Sequence, residues 1–149
     1  SYEMGRLMAL SSGSFLNLGV AGALTDLEVG GILQIEQVCA DYERHPFHRK
    51  DDELLLSPVN SELNLVRCVS VGEAVHDEVN KSRLEKSADL VDMELYALAA
   101  CSQWAKRNLS SVKVVSDFAS EVDAKEIVKR IPQLMAELWC TVKSEIVVK

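Results

Sequence analysis

Short apolar runs alternate with helically spaced stripes along the 149-residue chain. Residues 2–11 put Met4, Leu7 and Met8 at helical spacing, which predicts an amphipathic helix ending near Ser11, Ser12 and Gly13. Phe15-Leu16-Asn17-Leu18 reads as a short buried strand running into a small-residue turn, Gly19-Val20-Ala21-Gly22-Ala23-Leu24. A second strand covers 32–39 behind Gly30 and Gly31, and a third covers 65–71. Between them, residues 40–64 are polar, with Pro46 and Pro58, and predict a long surface excursion.

The second half is more regular. Residues 77–86 predict a short helix with Val79 and Leu84 facing inward, and 89–93 form a short apolar segment leading into a helix over 94–106. Val112-Lys113-Val114-Val115-Ser116-Asp117 is a β-branched strand ending in a carboxylate. Residues 122–143 carry Ile127, Val128, Ile131, Leu134, Met135, Leu138 and Trp139 as one apolar stripe, a core-facing helix that Pro132 should kink or split. Strands alternating with helices predict an α/β fold with a largely buried sheet, and ligands of such folds gather at the carboxyl ends of strands. Three segments place suggestive residues there: 19–22, Met93-Glu94 and Ser116-Asp117.

Composition narrows the partners. Hydrophobic residues make up 48% and charged residues 26%, a globular balance. The net charge of −7, with no basic run longer than Arg49-Lys50, argues against a nucleic-acid partner. No apolar stretch reaches the roughly 18 residues of a membrane span, and the first residues lack the basic start and apolar core of a signal peptide, which together point to the cytoplasm. The cysteines Cys39, Cys68, Cys101 and Cys140 are too scattered for a zinc ribbon or a redox pair, and their apolar contexts predict reduced, mostly buried thiols. His45 and His48, beside Asp51 and Asp52, read as a solvated loop because no second ligand pair accompanies them, so no metal site is expected.

The segments Asn17-Leu18-Gly19-Val20-Ala21-Gly22-Ala23-Leu24, Val91-Asp92-Met93-Glu94 and Val114-Val115-Ser116-Asp117 occur in the order of one superfamily. Each is weak alone; together they make residues 2–143 resemble the nucleoside phosphorylases and nucleosidases, among them the purine nucleoside phosphorylases, methylthioadenosine/S-adenosylhomocysteine nucleosidases and futalosine hydrolases. The resemblance implies a three-layer, phosphorylase-like α/β fold with a central mixed sheet flanked by helices, in one domain over 1–149. Relatives carry a further N-terminal portion with the first strand and, in nucleosidases, a Glu that activates water. The chain therefore resembles an N-terminally truncated member.

The same resemblance implies roles. Glu94 would accept hydrogen bonds from two ribose hydroxyls, a job matched to the two oxygens of a carboxylate, with Met93 packed beneath the sugar. Asp117 would protonate the departing base as a general acid, which needs its proton held by burial or by a neighbouring negative charge. Ser116 belongs to the same motif, and the backbone of Gly19, Val20, Ala21 and Gly22 would approach the sugar or a water beside it. Carboxylates near the ribosyl group would stabilise its oxocarbenium character. Phosphorylases tend to hold phosphate with an Arg where this chain has Asn17, so hydrolysis is expected over phosphorolysis, without metal or organic cofactor and with phosphate only as a possible co-substrate. No aromatic residue lies between Phe47 and Tyr96, where relatives place one over the base, and Ser120 stands where many have Asp.

Bland readings exist for each of these residues. Glu94 suits a helix N-terminus, Asp117 a strand-end turn, and the glycines a tight strand exit. Two rival functions stay open beside the nucleoside-cleaving one. In the first, the chain is an inactive remnant that binds a nucleoside or pairs with a partner chain supplying the missing portion. In the second, it is an unrelated flavodoxin-like binding domain. A sheet without its first strand would expose an edge, which predicts a homodimer or higher oligomer.

Overall fold

The computed structural model describes residues 5–41, 53–119 and 124–147. Seven strands, β1 (Gly5–Ala9), β2 (Phe15–Ala23), β3 (Ile32–Asp41), β4 (Leu54–Leu55), β5 (Leu65–Val71), β6 (Leu90–Asp92) and β7 (Leu109–Asp117), join in one mixed sheet. β2 and β7 run parallel from Phe15↔Leu109 onward, and β7 pairs antiparallel with β3. β3 pairs parallel with β5 and β5 with β6, while β6 returns antiparallel to Gly22 and Ala23 of β2. Five strands thus form a closed circuit, with β1 and β4 attached outside it.

Alternation along the strands divides the core into two faces. Ala21, Ala23, Cys68, Leu90 and Val115 face one way and pack with Leu95 and Ala99 of α2 (Leu95–Trp104). Leu16, Leu18, Val20, Val112 and Val114 face the other way, against Ile131, Leu134, Leu138 and Val142 of α3 (Ala124–Val147). Leu84 of α1 (Glu78–Leu84) packs with Leu24, Val69, Val71 and Val91. This is the three-layer arrangement expected, and its mixed, closed pairing excludes the flavodoxin-like alternative, whose sheet is open and parallel.

Several local expectations are corrected. The helix expected over 2–11 is strand β1 in its described part. Ser11-Ser12-Gly13 is a hairpin loop rather than a helix end: Leu10 N–H donates to Ser14 O, Gly13 N–H to Leu10 O, and Gly13 takes φ 83°. The turn expected at 19–22 is uninterrupted strand β2, and neither glycine there has positive φ. Their missing side chains serve packing instead, since a Cβ on Gly22 would lie 3.1 Å from Asp117 Oδ2 and 3.3 Å from Val91 Cγ1.

Val79, expected inside, is 80% exposed, because the seven-residue α1 buries only Leu84. Pro132 does not split α3. It sits on the solvent side of the helix, where the carbonyl that loses its donor can be hydrated. The same geometry leaves Trp139, expected in the core, 41% exposed. Of the four free cysteines only Cys68 is buried; Cys39 is partly covered, and Cys101 and Cys140 are exposed on the outer faces of their helices. In the expected excursion, β3 runs on to Asp41, and β4 pairs with Gln37 and Val38. His45, His48, Asp51, Asp52 and Ser120 lie outside the described residues.

Candidate functional site

The segment after β6 gathers most of the polar chemistry. Asp92 ends β6 almost fully buried, and its Oδ2 accepts the Leu95 N–H at 3.1 Å, so Asp92 caps the start of α2. Ser70 Oγ, at the end of β5, donates to Asp92 Oδ1 at 2.5 Å and accepts from Tyr96 N–H. With the helix start satisfied in this way, Glu94 makes no capping bond although it occupies the N-cap position. Its carboxylate turns to Lys113 of β7, whose Nζ lies 3.0 Å from Glu94 Oε1 and 2.9 Å from Asp92 Oδ2.

Lys113 is completely buried, and burial opposes its charge. The fields of Asp92 and then Glu94, with the Asp92 hydrogen bond, override that penalty and hold the ammonium above the ordinary lysine range. The neighbouring Cys68 thiol is pushed up by burial and next by the field of Asp92. Lys113 pairs in register with Gly19, and Glu94 Oε1 lies 3.2 Å from where a Cβ of Gly5 would stand. Gly5 faces Gly19 across β1 and β2, and the missing Gly5 side chain clears space beside the Glu94 carboxylate.

Asp117 ends β7 just past an irregularity in its pairing with β2, which sets it opposite Gly22. Ser116 Oγ donates to Asp117 Oδ1 at 2.6 Å and approaches the Ala21 carbonyl at 3.3 Å, and Ala119 N–H donates to Asp117 Oδ2 at 2.9 Å. Ala119 holds φ 50°, an uncommon left-handed value for a residue with a side chain, and is buried. Among the described residues no ion pair reaches Asp117, which stays half-buried. Glu94 thus lies by Gly5, which pairs with Gly19, and Asp117 lies opposite Gly22; Gly19 and Gly22 are about 10 Å apart along β2.

The remaining anticipated residues fall into two groups. Met93 is half exposed beside Glu94, and Ser116 is buried beneath Asp117. Val20 and Ala21 turn their side chains into the cores on opposite faces, so only their backbone could meet a ligand. Asn17 accepts from Ser111 Oγ at 2.9 Å and donates to Arg6 O, which commits both ends of its amide to the sheet. Sequence reasoning missed Lys113, Asp92 and Ser70. The detectable signal was a lysine inside the β-branched run of a central strand, a place that tolerates a cation only when it is paired.

Neither a family model nor a curated protein matches the sequence. Solved structures do. A mutant of futalosine hydrolase from Helicobacter pylori is similar over 90% of this chain and 68% of its own, with a TM-score of 0.78 at 21% identity. A methylthioadenosine/S-adenosylhomocysteine nucleosidase from the same organism, an aspartate-to-asparagine variant with 5'-methylthioadenosine in the active site, gives 0.77 at 20% identity over 89% of this chain and 68% of its own. The corresponding nucleosidase of Chlamydia trachomatis, bound to adenine, gives 0.71 at 21% identity over 89% and 63%. The chain has the fold of these nucleosidases and spans about two thirds of their length. Among the described residues no helix is long and apolar enough to cross a membrane, and no group of three or more His, Cys, Asp and Glu side chains is placed to hold a metal ion.

Proposed function

We propose that the chain acts on a purine-type nucleoside and cleaves its N-glycosidic bond with water. The observation that carries this reading is the placement of Asp117, held from two sides by Ser116 Oγ and Ala119 N–H at the mouth of β2 and β7, within the fold of N-glycosidic bond hydrolases. Asp117 is the general acid at the base; Ser116 positions it. Glu94 takes the ribose hydroxyls, Met93 lies against the sugar, and the backbone of Gly19, Val20, Ala21 and Gly22 forms the strand wall between them. As the bond from the anomeric carbon to the base nitrogen breaks, its electron pair goes to the base, which takes the proton of Asp117. Water adds to the anomeric carbon, and the proton it loses returns to the carboxylate through solvent.

Electrostatics support water over phosphate. Lys113 is outnumbered by Asp92 and Glu94. That surplus of negative charge favours a cationic ribosyl group and repels an anionic co-substrate. The spent amide of Asn17 adds no phosphate-binding cation. No metal or organic cofactor enters this scheme. The assembly is a homodimer or higher oligomer in which a second chain covers the outer edge of β1.

The test is release of free base, followed by chromatography, from methylthioadenosine, adenosine, inosine and futalosine, with and without phosphate. Release independent of phosphate and reduced at least about 100-fold in Asp117→Asn is expected of a general acid. Saturable nucleoside binding without any release would instead favour the non-catalytic reading.

A further inference from the structure

At the opposite end of the sheet, where β2 and β7 begin, a cavity of about 350 Å³ opens between the loops at 10–14, 57–59 and 107–110. We propose that this cavity binds a neutral polyol of monosaccharide size. Ser110 carries the argument: it is only 7% exposed, lines the cavity, and among the described residues its hydroxyl has no hydrogen-bond partner. A buried hydroxyl is normally satisfied, so an orphan at a cavity wall marks a group waiting for an outside partner. Ser110 lies on the strand face that carries Val112 and Val114, the face that also packs Leu10 and Val59, and both of those line the same cavity. The exposed Ser11 hydroxyl and Asn108 amide and the half-buried Ser57 hydroxyl line its rim.

The walls are fixed in advance. Gln34, itself buried, clamps one loop by donating to the carbonyls of Asn60 and Leu63 and accepting from Val59 N–H. Ser57 N–H donates to Leu109 O, Phe15 N–H to Asn108 O, and Arg107 Nη1 to Gly13 O, which ties the three loops together. Preorganised walls lower the ordering penalty of binding.

The lining sets the ligand class. It holds no charged residue, so neither an anion nor a cation finds a counter-charge. Serine hydroxyls both donate and accept, as sugar hydroxyls do, while Leu10 and Val59 offer an apolar floor to ring C–H groups. The volume falls in the range of small-molecule sites. Six residues of strand separate Ser110, which pairs with Leu16, from Asp117 opposite Gly22, about 20 Å, so this site is distinct from the one at the far end.

A titration of the ¹⁵N-labelled protein with D-ribose tests the proposal, followed by amide chemical shifts. Saturable shifts confined to the three loops are expected, with a millimolar Kd. They should weaken at least about tenfold in Ser110→Val and in Ser57→Ala, and ribose 5-phosphate should bind more weakly than ribose. Should Ser110→Val fail to fold, Ser57→Ala at the rim decides. No saturable shift up to about 50 mM, shifts confined to the Gly22 and Asp117 end, or shifts unchanged in the variants would overturn the proposal and leave a cavity that holds water alone.

Discussion

Lys113 shows how much one side chain can set. Its ammonium has two carboxylate partners and no solvent, so removing it strands Asp92 in a buried position with its charge uncompensated. Lys113→Met is expected to lower unfolding free energy by about 3–5 kcal/mol in urea titrations. Glu94→Gln should cost under about 1 kcal/mol, because Glu94 is 40% exposed and Lys113 keeps Asp92. The same residues fix a pH dependence. Both Lys113 and Cys68 have folded-state values raised above their unfolded ones, so whatever each contributes is complete at neutral pH and is lost only as pH climbs. The unfolded thiol ionises first, near pH 8.5, and the lysine only beyond about 10. The urea midpoint should therefore decline from about pH 8.5 upward, and Cys68→Ala should reduce the part of that decline below about pH 10, leaving the share of Cys39, whose thiol burial also pushes up. Native labelling with a maleimide should find Cys101 and Cys140 fast and Cys68 protected.

Among the elements, α3 offers the sharpest test. Pro132 sits inside a 24-residue helix without dividing it, at a solvent-side position. Pro132→Ala restores a helical N–H donor and should raise stability by about 1–3 kcal/mol, read as an upward shift in Tm. The long elements were legible because their periodicity is local: the β-branched runs of β5 and β7 and the stripe of α3 stand where the pattern puts them. β1 was not, because five residues with Leu7 and Met8 adjacent fit a strand as well as a helix turn, and only the hairpin to β2 decides between them. Gly22 misled for a related reason. A glycine that makes room for a distant side chain looks, in sequence, like one that turns the chain. The Lys113 cluster stayed hidden because its partners come from strands far apart in sequence. Glu94 and Asp117 were legible as a motif, whereas their separate supports, Lys113 for one and Ser116 with Ala119 for the other, were visible only in space.

At the scale of the whole molecule, β1 and β4 are the two outer strands of the sheet, and β1 is the longer margin. It ends the strand order, and among the described residues nothing pairs with its outer edge, where Leu7 is half exposed. Unpaired edges of this kind invite pairing with another chain. Sedimentation equilibrium at micromolar concentration is expected to show a dimer or larger assembly, and Leu7→Lys, which charges that edge, should shift it toward monomer; a concentration-independent monomer in the parent protein would refute the assembly.

The closed strand circuit also governs when the molecule can fold. β7 is the strand that joins β2 to β3, yet Ser111 and its partner Asn17 are 94 residues apart in sequence. During synthesis both of those strands wait with open edges until the last strand is delivered, and loop closure over that span must precede the contacts that reward it. Refolding should accordingly be slow for a domain of this size, and the waiting edges make the incomplete chain the species most in need of a chaperone.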